Sequence, residues 1–230
     1  MSDAALLQEA IRVLFVVIII TAAYIISTRN LLSLVSAYAL QSLTLVLIAL
    51  SLWMIEGAPV LLAIAGISLI TKTLVIPYFI ANVQEKIRIK RDIEFHFLNP
   101  TTSLLLSMAI ILVVYIALSH IMQGTEARES LFFFGAVLGI SLMMMGMMVT
   151  FSRKRAITKV LGYLTMENGV LLFGLFVTEL PFIIEFLIII DLIILVILTT
   201  ILTIGLDSTL EDYHKRLHRF HLVEETEEGP

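Results

Sequence analysis

Three side chains that can gain or lose a proton, Lys72, Glu167 and Asp191, lie near the middle of long apolar stretches. Almost every other charged residue lies near the end of such a stretch. A charge at the centre of a bilayer costs about 2.5–3.5 kcal/mol on insertion scales, and such residues commonly mark proton relays or ion pathways. We therefore predict proton transfer as their chemistry. Polar residues of the predicted spans could connect them, together with water: Gln41, Thr71, Thr73 and Asn168.

The apolar stretches indicate an integral membrane protein. Hydrophobic residues make up 59% of the 230 residues and charged residues only 15%, against about 45–50% and about 25% in soluble domains. About 20 helical residues are needed to cross the hydrocarbon layer. The apolar runs are continuous and do not alternate, which favours an all-α bundle over a β-barrel. Seven predicted transmembrane helices cover residues 6–27, 31–55, 59–81, 102–122, 131–151, 156–177 and 182–206.

The charges in the loops orient this bundle. Basic residues follow the first, third, fifth and seventh spans, at Arg29, 86–91, 153–155 and 215–219. The loops on the opposite side contain one basic residue, Arg128. Because cytoplasmic loops are enriched in Lys and Arg, we predict an outer amino terminus and a cytoplasmic carboxyl terminus. The predicted location is the cell inner (plasma) membrane.

The order of helices and loops predicts two parallel three-helix units joined by one helix. The basic joint 27–30 corresponds to 152–155, and the proline-ending joint 57–59 corresponds to 179–181. The predicted divisions are a first unit with its basic cytoplasmic loop (1–95), a linking helix (96–125), a second unit (126–207), and a cytoplasmic amphipathic helix with an acidic tail (208–230). Parallel repeats occur in transporters, but similar apolar composition could also produce this likeness.

The composition restricts the chemistry of the chain itself. It contains no cysteine, which excludes disulfides, thiolate-bound iron–sulfur clusters and cysteine-linked haem. The loops are short and have no phosphate-binding glycine motif. We predict no cofactor, no metal site, no catalytic centre within this chain and no nucleic-acid partner.

The second unit resembles a known class of small membrane subunit. Its basic joint 153–155, the run 161–168 (Leu-Gly-Tyr-Leu-Thr-Met-Glu-Asn) and Asp191 are similar to the three-helix K subunit of complex I and the C subunit of Mrp-type antiporters. With the preceding unit, which contains 68–73 (Ser-Leu-Ile-Thr-Lys-Thr), the chain resembles hydrogenase-4 component E. The K subunits carry glutamates in their second and third helices on the path of proton transfer. Glu167 lies about one turn beyond the expected position, and Asp191 replaces glutamate.

This resemblance implies a non-redox membrane-arm subunit of a complex-I-like energy-converting hydrogenase or related oxidoreductase. Its implied partners are antiporter-like and quinone-site-like membrane subunits, a peripheral hydrogenase arm and the lipid bilayer. The coupled ion would be a proton or sodium. Two alternatives stay open, a subunit of a cation/proton antiporter and a purely structural scaffold. In the scaffold, Lys72 would pair with a carboxylate only to lock neighbouring helices together.

Overall fold

The computed structural model describes residues 3–28, 30–87, 100–121, 130–153 and 156–177, with residues 190, 193–194, 196–197 and 200 of the last predicted span. Within these ranges every regular element is a helix. In chain order they are α1 (Asp3–Ser27), α2 (Leu31–Glu56), α3 (Pro59–Ser68), a π-helical segment (Leu69–Val75), α4 (Ile76–Ile87), α5 (Pro100–Ile121), α6 (Leu131–Ser152) and α7 (Ala156–Val177).

Five helical spans among the described residues are long and apolar enough to cross a membrane. They are Ala5–Ser27, Leu31–Glu56, Pro59–Asn82, Thr101–Ile121 and Leu131–Ser152. These spans suggest a membrane protein, as predicted, and lie within a few residues of the first five predicted spans. The sixth predicted span forms α7 with the same bounds. The seventh lies mostly outside the described residues, as do Asp191 and the predicted cytoplasmic segment 208–230.

Local sequence explains where several helices begin and end. Asn30 accepts a hydrogen bond from the Leu32 backbone N–H at the start of α2, and Ser130 accepts one from the Phe133 N–H at the start of α6. Both side chains satisfy backbone donors that a helix leaves without partners. Gly57 ends α2 with a φ of 71°, a left-handed conformation that glycine adopts without steric cost. Pro59 then begins α3, at a position that needs no N–H donor.

Helix α2 lies at the centre of the packing, in contact with α1, the α3–π–α4 helix and α7. Its fully buried side chains include Tyr38, Leu45 and Ile48, but also Gln41 and Ser42. Polar side chains therefore occupy the middle of the described bundle. Since a buried polar group is costly without hydrogen-bond partners, the neighbouring helices must supply them.

Helices α6 and α7 form the most extensive contact between two described helices. A methyl group added at Gly146 would lie 2.8 Å from the carbonyl oxygen of Gly162 and 2.6 Å from the Cα of Met166. One added at Gly139 would lie 2.6 Å from the backbone nitrogen of Phe173. The two backbones thus approach so closely that only glycine fits, as in other close helix contacts within membranes.

Arg153 connects two loops that are far apart in the sequence. Its side chain is only 3% exposed, and its Nη2 donates to the carbonyl oxygens of Ile25 (3.3 Å), Ile26 (3.3 Å) and Thr28 (2.8 Å). These carbonyls belong to the C-terminal end of α1, where backbone acceptors lack helical partners. The contact joins the ends of α1 and α6, as expected if the two basic joints lie on the same side of the membrane.

The glycine packing predicts a position-dependent effect of a single methyl group. We expect Gly146→Ala to lower the unfolding free energy by about 1–3 kcal/mol, because overpacking separates α6 from α7. Gly66→Ala is the matched control, since no atom lies within 4 Å of its added methyl group, and alanine raises helix propensity by up to about 1 kcal/mol. Thermal unfolding of the full-length protein in detergent measures both effects. Equal stability of the two variants would contradict this account of the α6–α7 contact.

Candidate functional site

Lys72 lies on the face of the α3–π–α4 helix that packs into the bundle. The buried residues of this helix are Leu61, Ile64, Ala65, Ser68, Lys72, Ile76 and Ile80. They recur at helical spacing and form one continuous stripe. Lys72 is fully buried at a position where the rest of the stripe is mainly apolar. Its ammonium group therefore needs a partner inside the bundle.

The backbone around Lys72 is π-helical instead of α-helical. In the segment Leu69–Val75 the backbone hydrogen bonds connect residues five positions apart instead of four. At its end, the Ile76 N–H bonds to the Thr71 carbonyl, five residues earlier. Proline has no N–H to donate, so Pro77 cannot supply the α-helical hydrogen bond to the Thr73 carbonyl. The π-helical segment ends at Val75, two residues before Pro77. π-helical segments are rare in proteins, and those that occur are often found at functional sites.

Lys72 and Glu167 form a buried ion pair. The Lys72 Nζ donates to the Glu167 Oε1 over 2.7 Å, which is within the range of strong charge-assisted hydrogen bonds. The side chains are 0% and 2% exposed. The structure thus joins two of the three ionisable residues found in the sequence, while the third, Asp191, lies outside the described residues. Whether the pair transfers protons stays a prediction, and the same contact could act as a structural lock.

A second polar contact lies beside the ion pair, because Asn168 follows Glu167 on α7. The Asn168 Nδ2 donates to the Gln41 Oε1 (3.2 Å) and to the Ser42 Oγ (3.1 Å) on α2. The Gln41 Nε2 in turn reaches the Thr21 Oγ1 on α1 at 3.5 Å, longer than the usual 2.7–3.2 Å. These contacts form a buried polar line from α7 through α2 to α1.

The line ends near the protein surface. Thr21 borders a groove of about 430 Å³ between α1 and α2, together with Tyr24, Ser33 and Ser36. The Thr21 hydroxyl also bonds to the carbonyls of Val17 and Ile18, which lie four and three residues earlier on its own helix. A polar connection therefore extends from this groove to the residue next to Glu167.

Three polar atoms near the ion pair have no hydrogen-bond partner among the described residues. They are the Ser68 Oγ, the Thr73 Oγ1 and the Asn168 Oδ1, all buried. Ser68 lies one turn before Lys72, and Thr73 and Asn168 are adjacent in sequence to the two charged residues. Buried polar atoms are normally hydrogen-bonded, to protein or to ordered water. The surroundings of the pair can therefore accept further hydrogen bonds.

The four predicted supporting residues have different roles. Gln41 and Asn168 contact each other, as described above. Thr71 donates its hydroxyl to the Ile67 carbonyl of its own helix over 2.9 Å, and Thr73 follows Lys72 within the π-helical segment. Sequence reasoning missed Thr21 and Ser42, and it used Arg153 only as part of the basic joint 153–155. A signal was present, since polar residues inside membrane spans usually face the bundle interior.

The described residues contain no group of three or more His, Cys, Asp or Glu that could bind a metal ion. Comparisons with protein-family models, curated proteins and solved structures give no match for the chain. The resemblance to hydrogenase-4 component E is therefore a prediction that rests on the sequence motifs. Any function must be argued from the geometry of the buried site.

The ion pair predicts that substitutions of Lys72 and Glu167 do not have additive effects on the unfolding free energy. We expect Lys72→Met or Glu167→Met alone to cost about 3–5 kcal/mol, since each leaves an uncompensated buried charge. The double variant K72M/E167M should be more stable than either single variant, because apolar side chains of similar size can replace a buried ion pair.

Thermal unfolding of the four proteins in detergent provides this double-mutant cycle. The pair Arg12–Glu9, whose side chains are 54% and 61% exposed, is the control, and its cycle should give a coupling of about 1 kcal/mol or less. Additive effects of the Lys72 and Glu167 substitutions would show that the two residues are not coupled in the folded protein.

Proposed function

We propose that this chain is a membrane subunit in which Lys72 and Glu167 carry out intramembrane proton transfer. The single observation that carries the proposal is the buried ion pair at a π-helical segment. Both partners can exist with or without their charge, whereas an arginine in the same position would stay charged. The oxygen atoms of Ser68, Thr73 and Asn168 have no hydrogen-bond partner within the described part of the chain. They support the proposal, because they can accept hydrogen bonds from water beside the pair.

The size of the energies makes such a pair suitable for gating. Moving one charge across 100 mV is worth about 2.3 kcal/mol, and losing a buried partner costs several kcal/mol. A change in the separation of Lys72 and Glu167 would therefore change the free energy of protonating each side chain. This change is comparable to the free energy of moving one charge across the membrane potential. Asp191, which the sequence places at similar depth, is the proposed third residue of the relay.

The assembly that we propose is a complex-I-like energy-converting hydrogenase or a related oxidoreductase of the plasma membrane. The chain would be a non-redox membrane-arm subunit with seven spans, an outer amino terminus and a cytoplasmic carboxyl terminus. Electron transfer would take place in a peripheral hydrogenase arm, and antiporter-like and quinone-site-like subunits would be its membrane neighbours. The sequence motifs around Glu167 support this proposal. An antiporter subunit would use the same pair without a redox partner.

A specific observation favours one further candidate, the structural scaffold. The ion pair is closed at 2.7 Å and joins α7 to the π-helical segment, as a lock between helices would. The two functions make opposite predictions for a lysine-to-arginine change, since arginine keeps the charge but does not release its proton in proteins.

Lys72→Arg therefore separates proton transfer from helix locking. If the pair transfers protons, we expect a stably assembled complex whose ion translocation falls by about tenfold or more, because each 1.36 kcal/mol added to the barrier slows a step tenfold. Ion flux per turnover is measured with a pH-sensitive dye in membrane vesicles. Unchanged flux in K72R would support the scaffold. The variant K72M/E167M lacks both charges, and we expect it to keep the fold and to lose coupled flux.

The proposed assembly is tested separately by purifying the tagged full-length chain in mild detergent and identifying its partners by mass spectrometry. Catalytic hydrogenase and iron–sulfur subunits would support the oxidoreductase, and only antiporter-like subunits would support the alternative. A stable solitary protein with its own ion flux would contradict both assemblies.

A further inference from the structure

A second recess of the molecule lies away from the ion pair, between α1, α5 and α6. It has a volume of about 600 Å³, within the range of about 300–1,000 Å³ that small-molecule pockets occupy. Most of its lining is apolar and includes Phe15, Ile19, Ile111 and Leu138. We call this recess the α1–α5–α6 groove.

One end of the groove is polar. Arg12 and Tyr115 line it, and Arg12 Nη1 donates to Glu9 Oε1 over 3.0 Å. Arg12 lies in the N-terminal half of α1, and Tyr115 lies in the C-terminal third of α5. Ile19 lies seven positions beyond Arg12, roughly 10 Å further along the helix axis. The groove therefore has a charged end towards the helix termini and an apolar body towards the middle of the bundle.

The groove opens sideways onto an exposed apolar surface of α1, α5 and α6, which in a membrane-spanning bundle is a surface that lipid can reach. Val16 is 54% exposed, and Ile19, Tyr115 and Phe134 are also exposed apolar or aromatic lining residues. A molecule in the membrane can thus enter without passing through water. Its chemistry must match an apolar body and a charged end that carries both signs.

We propose that the α1–α5–α6 groove binds a phospholipid with a phosphoethanolamine headgroup. One acyl chain would lie along Ile19, Ile111 and Leu138, and the headgroup would lie at Arg12 and Glu9. The Arg12 guanidinium has five N–H donors, of which one bonds to Glu9, so others remain to bind the phosphate. The Glu9 carboxylate can accept a hydrogen bond from the primary ammonium.

The charge arrangement selects this headgroup over two others. A phosphatidylglycerol carries a negative charge with no cation, so Glu9 would repel it or stay without a lipid partner. A choline headgroup has no N–H and cannot donate to Glu9. Only a headgroup with a phosphate and a primary ammonium complements both members of the Arg12–Glu9 pair. The assignment does not depend on the proton-transfer function.

Quenching of tryptophan fluorescence by brominated acyl chains tests the proposal in liposomes that contain the full-length protein. The chain has a single tryptophan, Trp53, so the Trp53→Phe variant has no tryptophan fluorescence of its own. Tyr115→Trp then places a probe inside the groove, and Ile116→Trp is the matched control at nearly the same depth, outside the groove lining. Ile111→Trp is a second, deeper probe of the groove.

We expect the groove probe to be quenched at severalfold lower mole fractions of brominated phosphatidylethanolamine than of brominated phosphatidylglycerol. The Ile116→Trp control should show no such preference. Glu9→Gln, which leaves Arg12 without its counterion, should reverse the preference towards phosphatidylglycerol, and Arg12→Gln should abolish it.

Three results would overturn the proposal. Equal quenching of the groove and control probes by every lipid would mean ordinary contact with the bilayer. Quenching of the control alone would mean that protein covers the groove. A preference of the unchanged Arg12–Glu9 pair for phosphatidylglycerol would exclude the headgroup assignment.

Discussion

The ion pair of Lys72 with Glu167 is the constraint on which the rest of the structure depends. Each charge alone would be costly inside an apolar bundle, and their attraction compensates only when the contact is close. The partners are separated by 95 positions in the sequence and belong to two helical segments that both contact α2. The arrangement of α2, α7 and the π-helical segment must therefore keep two atoms within 2.7 Å. The central helices cannot shift independently without exposing a charge to an apolar environment.

The glycines of α6 and α7 fix the rotation of the helix that carries Glu167. Met166 and Gly169 face the α6 backbone, against Gly146 and Met143. Since neighbouring helical residues differ by about 100° around the axis, Glu167 and Asn168 then point towards the π-helical segment and α2. Close packing on one side of α7 thus directs the polar groups on the other side. The glycines between α6 and α7 therefore help to position Glu167 and Asn168.

Sequence reasoning identified the helices well and the contacts poorly, for a physical reason. Continuous apolar runs, with Asn30, Gly57 and Pro59 at their ends, predict most described helix boundaries to within a few residues. The inward face of each helix is harder to find, because lipid and protein interior are equally apolar. On α2, Leu40 is 49% exposed and Leu45 is 1% exposed, although the two residues are identical. Only polar residues indicate the interior, which is why Lys72, Glu167, Gln41 and Asn168 could be selected. Their partners depend on how the helices pack.

The bond between Arg153 and the end of α1 also has a consequence for how the chain is made. Thr28 leaves the ribosome 125 residues before Arg153, after which α2 to α6 must still be synthesised. Until then the last carbonyl groups of α1 have no arginine to bind, so the first hairpin enters the membrane with its terminus incompletely capped. Once Arg153 has been made, its side chain can bind these carbonyls and join the end of α1 to the end of α6. Assembly of this bundle thus includes a step in which a residue at the end of α6 binds the end of α1, before α7 is made.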